Sequence, residues 1–186
     1  ARVVSKITLD NDTQPAGLFL SQDGSKLVVL ASKYQMYSYG AEGSGVAMLA
    51  PYRSDVYTFI NVYDVSSKAN PVLTRNFTVS GSYFNSRMIG NYVYAVVSQP
   101  AMVYNNAVTL PAVYQDKKEY DVTPSTVYYA DMEEPSYYTF TSFFGVNILD
   151  DTQQPTNMTV MMGGASTMYV SPDNIYITYP TWTQEN

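Results

Sequence analysis

The chain has 186 residues, and it contains neither Cys nor His. His is the usual general base, and Cys and His are the commonest transition-metal ligands. This composition therefore excludes Ser-His-Asp and Cys-His catalysis and ordinary zinc sites. A formal net charge of −6 argues against a nucleic-acid partner, because phosphate binding needs a basic surface. No run of about 18 apolar residues is present, so the chain is not expected to span a membrane.

Short β-branched and aromatic runs, bounded by Gly, Asn, Asp, Ser and Pro, dominate the chain and are typical of β-strands. No long segment carries a sustained helical periodicity. The predicted strands, in chain order, are residues 3–9, 16–20, 26–31, 58–65, 72–79, 86–89, 92–97, 143–149, 157–162, 167–170 and 174–178. The sequence therefore predicts an all-β fold.

Three pairs of these strands are predicted to be tight hairpins. Their connections contain Asp23-Gly24, Gly90-Asn91 and Asp173-Asn174. Residues of these types tolerate the positive φ that a tight turn requires. We therefore expect three hairpins spaced along the chain.

A repeat connects the strands between the hairpins. Val62-Tyr63-Asp64-Val65 is followed by Pro71, and Val146-Asn147-Ile148-Leu149 is followed by Pro155, at a constant offset of 84 residues. A further strand that ends at glycine follows each proline. A hairpin, a third strand, a proline-containing turn and a fourth strand are typical of β-propellers, in which each blade is a four-stranded antiparallel sheet.

The repeat is longer than the roughly 40 to 50 residues of compact propeller repeats. Two Tyr-rich insertions, residues 33–57 and 99–141, account for the excess. Insertions of this kind are expected at one face of a repeat architecture, which is often its binding face.

Three hairpins and two complete segments between them make about two and a half blades, whereas closed propellers have about 4 to 8. The sequence 1–186 therefore predicts a single propeller-type domain that is incomplete. Two interpretations follow: a fragment of a longer propeller, or a subunit whose open strand edges are completed by neighbouring chains.

Residues 76–101, NFTVSGSYFNSRMIGNYVYAVVSQPA, resemble a known family. The segment is similar to the blades of secreted β-propeller-domain proteins from archaea and some bacteria, in which V-Y-D-V and N-P precede R-N-F-T-V-S-G-S-Y-F-N-S-R-M-I-G. The likeness extends over most of the chain. It implies a propeller fold and an extracellular or cell-surface location, and it implies no catalytic residues.

Acidic clusters are the first candidate sites. Asp10 and Asp12 are the best candidate ligands for calcium, the only cofactor that we consider, because calcium prefers carboxylate oxygens. Asp131 and Glu134 could form the carboxylate pair of a glycosidase. The competing interpretation is that all of them are solvated turn residues, since none matches the spacing of a calcium loop.

Tyrosines in the two insertions are the second candidates. Tyr combines a broad apolar face with a polar tip, which suits sugar and protein recognition. It also packs well between strands, so packing between blades is the competing interpretation. The speculative ligand-binding residues are Tyr34, Tyr37, Tyr39, Tyr128, Tyr129, Tyr137 and Tyr138.

Three N-x-[S/T] tripeptides, at Asn11, Asn76 and Asn157, are candidate glycosylation sites. Two of them lie in predicted strands. Ser and Thr have no His partner, and the glycine-rich residues 40–45 lack the Lys of a phosphate loop. These observations favour recognition over catalysis.

The sequence thus predicts a non-enzymatic, extracellular or cell-surface propeller module that contacts protein or glycan. Two alternatives remain open. One is a self-assembling subunit of a filament or surface layer, joined by strand pairing between chains. The other is a carboxylate-dependent glycosidase.

Overall fold

The computed structural model describes residues 2–37, 53–104, 106–120, 127–129 and 137–180, and in these ranges every regular element is a β-strand. The all-β prediction is confirmed. The strands are β1 (Thr13–Leu20), β2 (Lys26–Tyr37), β3 (Arg53–Asp64), β4 (Val72–Ser80), β5 (Ser82–Ile89), β6 (Tyr92–Pro100), β7 (Val103–Tyr104), β8 (Ala107–Val108), β9 (Val113–Gln115), β10 (Lys118–Tyr120), β11 (Val127–Tyr129), β12 (Thr139–Asn147), β13 (Thr156–Met162), β14 (Thr167–Val170) and β15 (Ile175–Thr178).

Two of the sheets contain a complete four-stranded antiparallel unit. Blade 1 consists of β1, β2, β3 and β4 in that order, and blade 2 consists of β5, β6, β12 and β13. The third unit is the two-stranded hairpin β14–β15, here called the half-blade. All three predicted hairpins are present, and the arrangement matches two and a half blades.

Glycine allows the tightest of these hairpin turns. Ile89 pairs with Tyr92, so only Gly90 and Asn91 connect β5 to β6, and Gly90 has a φ of 56°. A two-residue hairpin turn needs a positive φ at this position, which glycine adopts without a steric penalty. The local sequence therefore fixes the register of the hairpin.

The hydrophobic core lies between the facing surfaces of blades 1 and 2. Strand β4 shows the expected period of two, with Arg75, Phe77 and Val79 buried and the residues between them less so. Phe77 contacts Phe144 of blade 2, with ring centroids 5.2 Å apart and planes tilted by 58°. Burial of each ring stabilises the fold by about 2 kcal/mol, so this apolar contact helps to hold the blades together.

A short connection joins the two blades at Gly81. Its φ is 117°, and its amide donates a hydrogen bond to the Val56 carbonyl at 2.7 Å. A Cβ at this position would lie 2.8 Å from the backbone carbonyl oxygen of Ser98. Glycine is therefore required here for both backbone conformation and space.

The predicted strand at residues 3–9 is wrong. These residues form no strand, and Val3 is 84% exposed. Ser5 donates its hydroxyl hydrogen to the Lys68 carbonyl at 2.6 Å, which ties the segment to the connection between β3 and β4. Alternating apolar residues make a strand only where a neighbouring strand supplies hydrogen bonds, and none of the described sheets includes this segment.

The repeat offset also needs correction. Asp64 and Asn147 each end the third strand of a blade, and their side-chain oxygens accept hydrogen bonds from the amides of Ser66 and Leu149. These equivalent positions are 83 residues apart, as 147 minus 64 shows. The prolines are 84 apart, so the turn of blade 2 is one residue longer than that of blade 1.

Candidate functional site

The two blades have a loop end and a turn end. At the loop end, Tyr37 pairs with Arg53 and Pro100 pairs with Thr139, so both Tyr-rich insertions leave the sheets on this side. At the turn end, short connections join the strands. These connections are residues 21–25, 65–71, 90–91 and 148–155.

Parts of both insertions form strands. The ladder between β2 and β3 continues into residues 33–57, and β7 to β11 lie within residues 99–141. Strand β9 pairs with β4 of blade 1, and β11 pairs in parallel with β13 of blade 2. The second insertion leaves from blade 2, so β9 fastens it to the outer edge of blade 1. Val113 on β9 is buried and joins the core between the blades.

Four of the predicted tyrosines have large exposed surfaces at the loop end. Tyr128 and Tyr129 are 53% and 70% exposed, and Tyr137 and Tyr138 are 62% and 42% exposed. We call these four residues the tyrosine surface; Tyr128 and Tyr129 are adjacent on β11 and so point to opposite faces of this edge of blade 2. Side chains this exposed do not mainly pack between the blades, so the packing interpretation does not account for them.

The strand register places the tyrosine surface at one end of blade 2. Tyr129 and Phe140 both pair with Met161, so β11 and β12 flank β13 on either side. With neighbouring strands roughly 5 Å apart, β11 and β12 are separated by about 10 Å. Tyr138 lies two residues before Phe140, at the same end.

Backbone contacts hold Tyr137 and Tyr138 in position. The Ala101 amide donates to the Tyr138 carbonyl at 2.9 Å. A Cβ on Gly164 would lie 2.6 Å from the Tyr137 hydroxyl oxygen, so the ring packs directly against the glycine backbone. The absence of a side chain at Gly164 therefore creates the space that Tyr137 occupies.

The tyrosines of the first insertion are described only in part. Tyr34 lies on β2 and is 61% exposed. Tyr37 ends β2, but its side chain lies outside the described residues, as does the whole of Tyr39. The contribution of this insertion to a binding surface stays a prediction.

The candidate calcium ligands lie in a turn that precedes β1. The amide of Thr13 donates to the Asp10 carbonyl at 3.2 Å, and Asp12 has a φ of 65°. Burial raises the pKa of Tyr63, and the negative charge of Asp10 raises it further. Within the described residues, no group of three or more acidic side chains could hold a metal ion. Calcium binding stays a prediction.

The other candidate residues differ in their surroundings. Asp131 and Glu134 lie outside the described residues. Asn11 is exposed at the turn before β1. The Asn76 amide donates to the Asn61 side chain on the neighbouring strand, and Asn157 Oδ1 is buried. Of the three candidate glycosylation sites, Asn11 therefore has the most accessible side-chain amide.

A polar network at the turn end was missed by the sequence reasoning. Arg75, only 3% exposed, donates to three carbonyls of blade 2: Asn147 at 3.5 Å, Asp150 at 3.2 Å and Gln153 at 2.8 Å. Its guanidinium also lies 4.7 Å from the Phe77 ring centroid. The sequence does indicate that Arg75 faces inward, because Arg75, the apolar Phe77 and Val79 are two residues apart and so lie on the same face of the strand.

Lys26 reinforces this network between the blades. Its Nζ lies 2.9 Å from Asp151 Oδ2 on blade 2 and 3.8 Å from Asp64 Oδ2 on blade 1. Asp151 therefore has a structural role. The turn end therefore joins the two blades through hydrogen bonds and an ion pair.

The turn-end carboxylates are held in their charged form by hydrogen bonds. The Ser21 hydroxyl and the Ser25 amide and hydroxyl lower the pKa of Asp23 to about 2. The Ser66 amide lowers the pKa of Asp64, and the Thr152 hydroxyl and amide lower the pKa of Asp150. A carboxylate kept ionised in this way stabilises a turn and is a poor proton donor.

Comparison with known proteins identifies the fold family. A family model described as a beta propeller domain matches residues 1–186. No curated protein and no solved structure matches the chain. The described residues contain no helix able to cross a membrane. The family match covers the whole chain and agrees with the two four-stranded blades and the half-blade, so the chain belongs to the β-propeller domain family.

Proposed function

We propose that this protein is a non-enzymatic recognition module that contacts protein or glycan at the cell surface through its loop end. The observation that carries the proposal is the tyrosine surface, four tyrosines each at least 42% exposed on one end of blade 2. The turn end supplies the rigid support, because Arg75 and Lys26 bind blade 1 to blade 2.

Tyrosine suits this role for physical reasons. Its ring offers a broad apolar face that stacks on the C–H face of a sugar or on an apolar side chain, and its hydroxyl exchanges hydrogen bonds with hydroxyl and amide groups. The side chain has only two flexible torsions, so little entropy is lost on binding. A formal net charge of −6 disfavours strongly anionic ligands, so neutral glycans and neutral or basic protein surfaces are the favoured classes.

The test is a binding screen with a matched pair of variants. Y128A/Y129A removes half of the tyrosine surface. Y169A/Y176A removes two tyrosines of similar exposure, 67% and 53%, from the half-blade. On a glycan array and in pull-downs from cell-surface extracts, we expect the first variant to lose the ligand and the second to retain it. No ligand for the wild-type protein, or equal loss in both variants, would contradict the proposal.

A second candidate function is assembly through strand pairing between chains. In the described part of the chain, β15 pairs with β14 alone, so its other edge is open. The exposed face of the hairpin carries Tyr169 and Tyr176, with ring centroids 5.9 Å apart. An open edge beside exposed aromatic residues is a template for another strand.

Light scattering after size exclusion tests the assembly role. A lysine on an edge strand disfavours pairing, so Y176K is expected to abolish concentration-dependent association. The control is Y34K, which places lysine on β2 opposite Val56 of β3, away from the half-blade. If wild type is monomeric at every concentration, or if both variants associate as wild type does, the assembly function is wrong.

The glycosidase alternative rests on Asp131 and Glu134, which lie outside the described residues. It stays a prediction, and a panel of chromogenic glycosides tests it directly. Turnover that D131N or E134Q abolishes would replace the non-enzymatic proposal. The extracellular location is likewise part of the proposal, supported by the resemblance of residues 76–101 to exported propeller proteins.

A further inference from the structure

An uncharged, apolar hairpin projects from the loop end beside the tyrosine surface. It is formed by β7 and β8, with Val103 paired to Val108 and Tyr104 to Ala107. Gln99 fastens its base, because the side-chain amide donates to the Thr109 carbonyl at 2.9 Å. We call residues 102–104 and 106–110 the apolar hairpin.

Four apolar side chains of this hairpin are largely exposed. Met102 and Val103 are 72% and 70% exposed, and Val108 and Leu110 are 43% and 39% exposed. Val103 and Val108 share one face, because directly paired residues point to the same side of a sheet. Contiguous exposed apolar side chains mark a contact with another apolar phase.

Charge identifies the kind of partner. No Asp, Glu, Lys or Arg occurs between Arg87 and Asp116, so the hairpin and the strand leading to it carry no formal charge. A neutral lipid surface has no net charge to pair with, so binding to it depends on the apolar area that is buried.

The surroundings of the hairpin fit a bilayer interface. Tyr137 and Tyr138 are joined to its base through the hydrogen bond from the Ala101 amide to the Tyr138 carbonyl. Tyrosine is enriched at the level of lipid headgroups, where its ring is in an apolar environment and its hydroxyl is hydrated. Asn106, exposed in the connection between β7 and β8 with a φ of 61°, would lie among the headgroups.

We propose that the apolar hairpin is a lipid-docking element that inserts shallowly into a neutral bilayer surface, with the shared face of Val103 and Val108 toward the acyl chains. This role is separate from ligand binding at Tyr128 and Tyr129. It orients the loop end toward a membrane without spanning it.

Sedimentation with phosphatidylcholine vesicles tests the proposal. Wild type is expected to bind, and M102D/V103D to lower the partition coefficient by at least about tenfold, because two exposed apolar side chains become charged. The matched control is V3D/V4D, which adds the same charge at two exposed valines, 84% and 56%, outside every described strand. We expect this control to bind as wild type does.

Two further arms separate lipid insertion from other contacts. Replacing part of the lipid with phosphatidylglycerol should weaken binding, since the chain carries a formal net charge of −6. Binding to neutral vesicles should be unchanged in high salt. Stronger binding to anionic vesicles that salt abolishes would overturn the proposal, as would a wild-type protein that does not bind neutral vesicles. Concentration-dependent self-association that M102D/V103D abolishes, without vesicle binding, would assign the hairpin to a second copy.

A second measurement does not depend on the folding of the aspartate variant. In V108W/W182F the only Trp of the chain is on the hairpin, because Trp182 is the single Trp of the sequence. Brominated phosphatidylcholine is expected to quench its fluorescence, and unquenched fluorescence in vesicles that bind the protein would overturn the proposal. Ligand binding lost in Y128A/Y129A with unchanged vesicle binding would show that the two surfaces act separately.

Discussion

The turn end and the loop end of the same two blades differ in how their polar and aromatic side chains are partnered. At the turn end, polar groups are buried or paired: Arg75 binds three carbonyls, and Lys26 binds Asp151. At the loop end, aromatic and apolar side chains such as Tyr129 and Met102 face solvent. The difference indicates that the turn end stabilises the protein and that the loop end is available for contacts. Substitutions at the two ends should therefore separate stability from binding.

The largest effect is expected for R75A. The substitution removes hydrogen bonds to three partly buried carbonyls of blade 2 and the packing of the guanidinium on Phe77, and should cost about 3 kcal/mol of unfolding free energy. Urea unfolding measures it. The control is R87A, because Arg87 is exposed on β5, and a change within about 0.5 kcal/mol is expected there. Equal effects would mean that Arg75 is not a structural link between the blades.

A smaller effect is expected for D151A. It removes the 2.9 Å contact with Lys26, whose side chain is only 11% exposed, while the Asp151 side chain is 41% exposed. Partial solvent screening limits the loss to about 1 kcal/mol. Urea unfolding beside D173A, a change in an exposed turn of the half-blade, provides the measurement. A D151A protein as stable as wild type would show that the Lys26 contact contributes nothing.

Acid should weaken the turn end first. Because hydrogen bonds lower the pKa of Asp23 to about 2 in the folded protein, the unfolded state takes up protons more readily as the pH falls. The stability that this carboxylate contributes is present above the unfolded pKa near 3.8 and is lost toward pH 2. D23N should be less stable at pH 7 and should show a shallower loss between these values, measured by urea midpoints at several pH values. An unchanged slope would contradict the assignment.

The smallest stability effect is expected at the loop end. Tyr128 and Tyr129 are 53% and 70% exposed, so Y128A and Y129A should each change the unfolding free energy by less than about 0.5 kcal/mol. Urea unfolding and the glycan or protein binding assay are run on the same samples. A destabilisation as large as that of R75A would mean that the tyrosine surface is part of the scaffold.

Strand positions were predictable where neighbours in sequence are also neighbours in the sheet. The hairpin around Gly90 follows from local turn chemistry, and the alternation of Phe77 and Val79 follows from the pleat. The pairing of β9 with β4 was not predictable, because it joins segments that lie in different blades. The strand wrongly predicted at residues 3–9 shows the same limit, since alternation cannot supply a partner strand.

For the candidate sites, too, residue types were predictable from the sequence, whereas their contacts with distant segments were not. The tyrosines were found by composition, but whether each one packs or projects depends on the register of β11, β12 and β13. Arg75 was overlooked because a charged residue in a strand gives no indication of its partners. Its carbonyl acceptors are 72 to 78 residues away in sequence.

By itself, the sequence of this protein determined the class of fold, the repeat, the three hairpins and the exclusion of His- and Cys-dependent chemistry, because these depend on residue type and on contacts between near neighbours. Only the tertiary structure decided that the blades are joined through Arg75 and Lys26 at one end, and that Tyr128, Tyr129, Tyr137 and Tyr138 are exposed at the other. Burial and hydrogen bonding of this kind depend on which distant strands pair. Local sequence preferences do not encode that pairing.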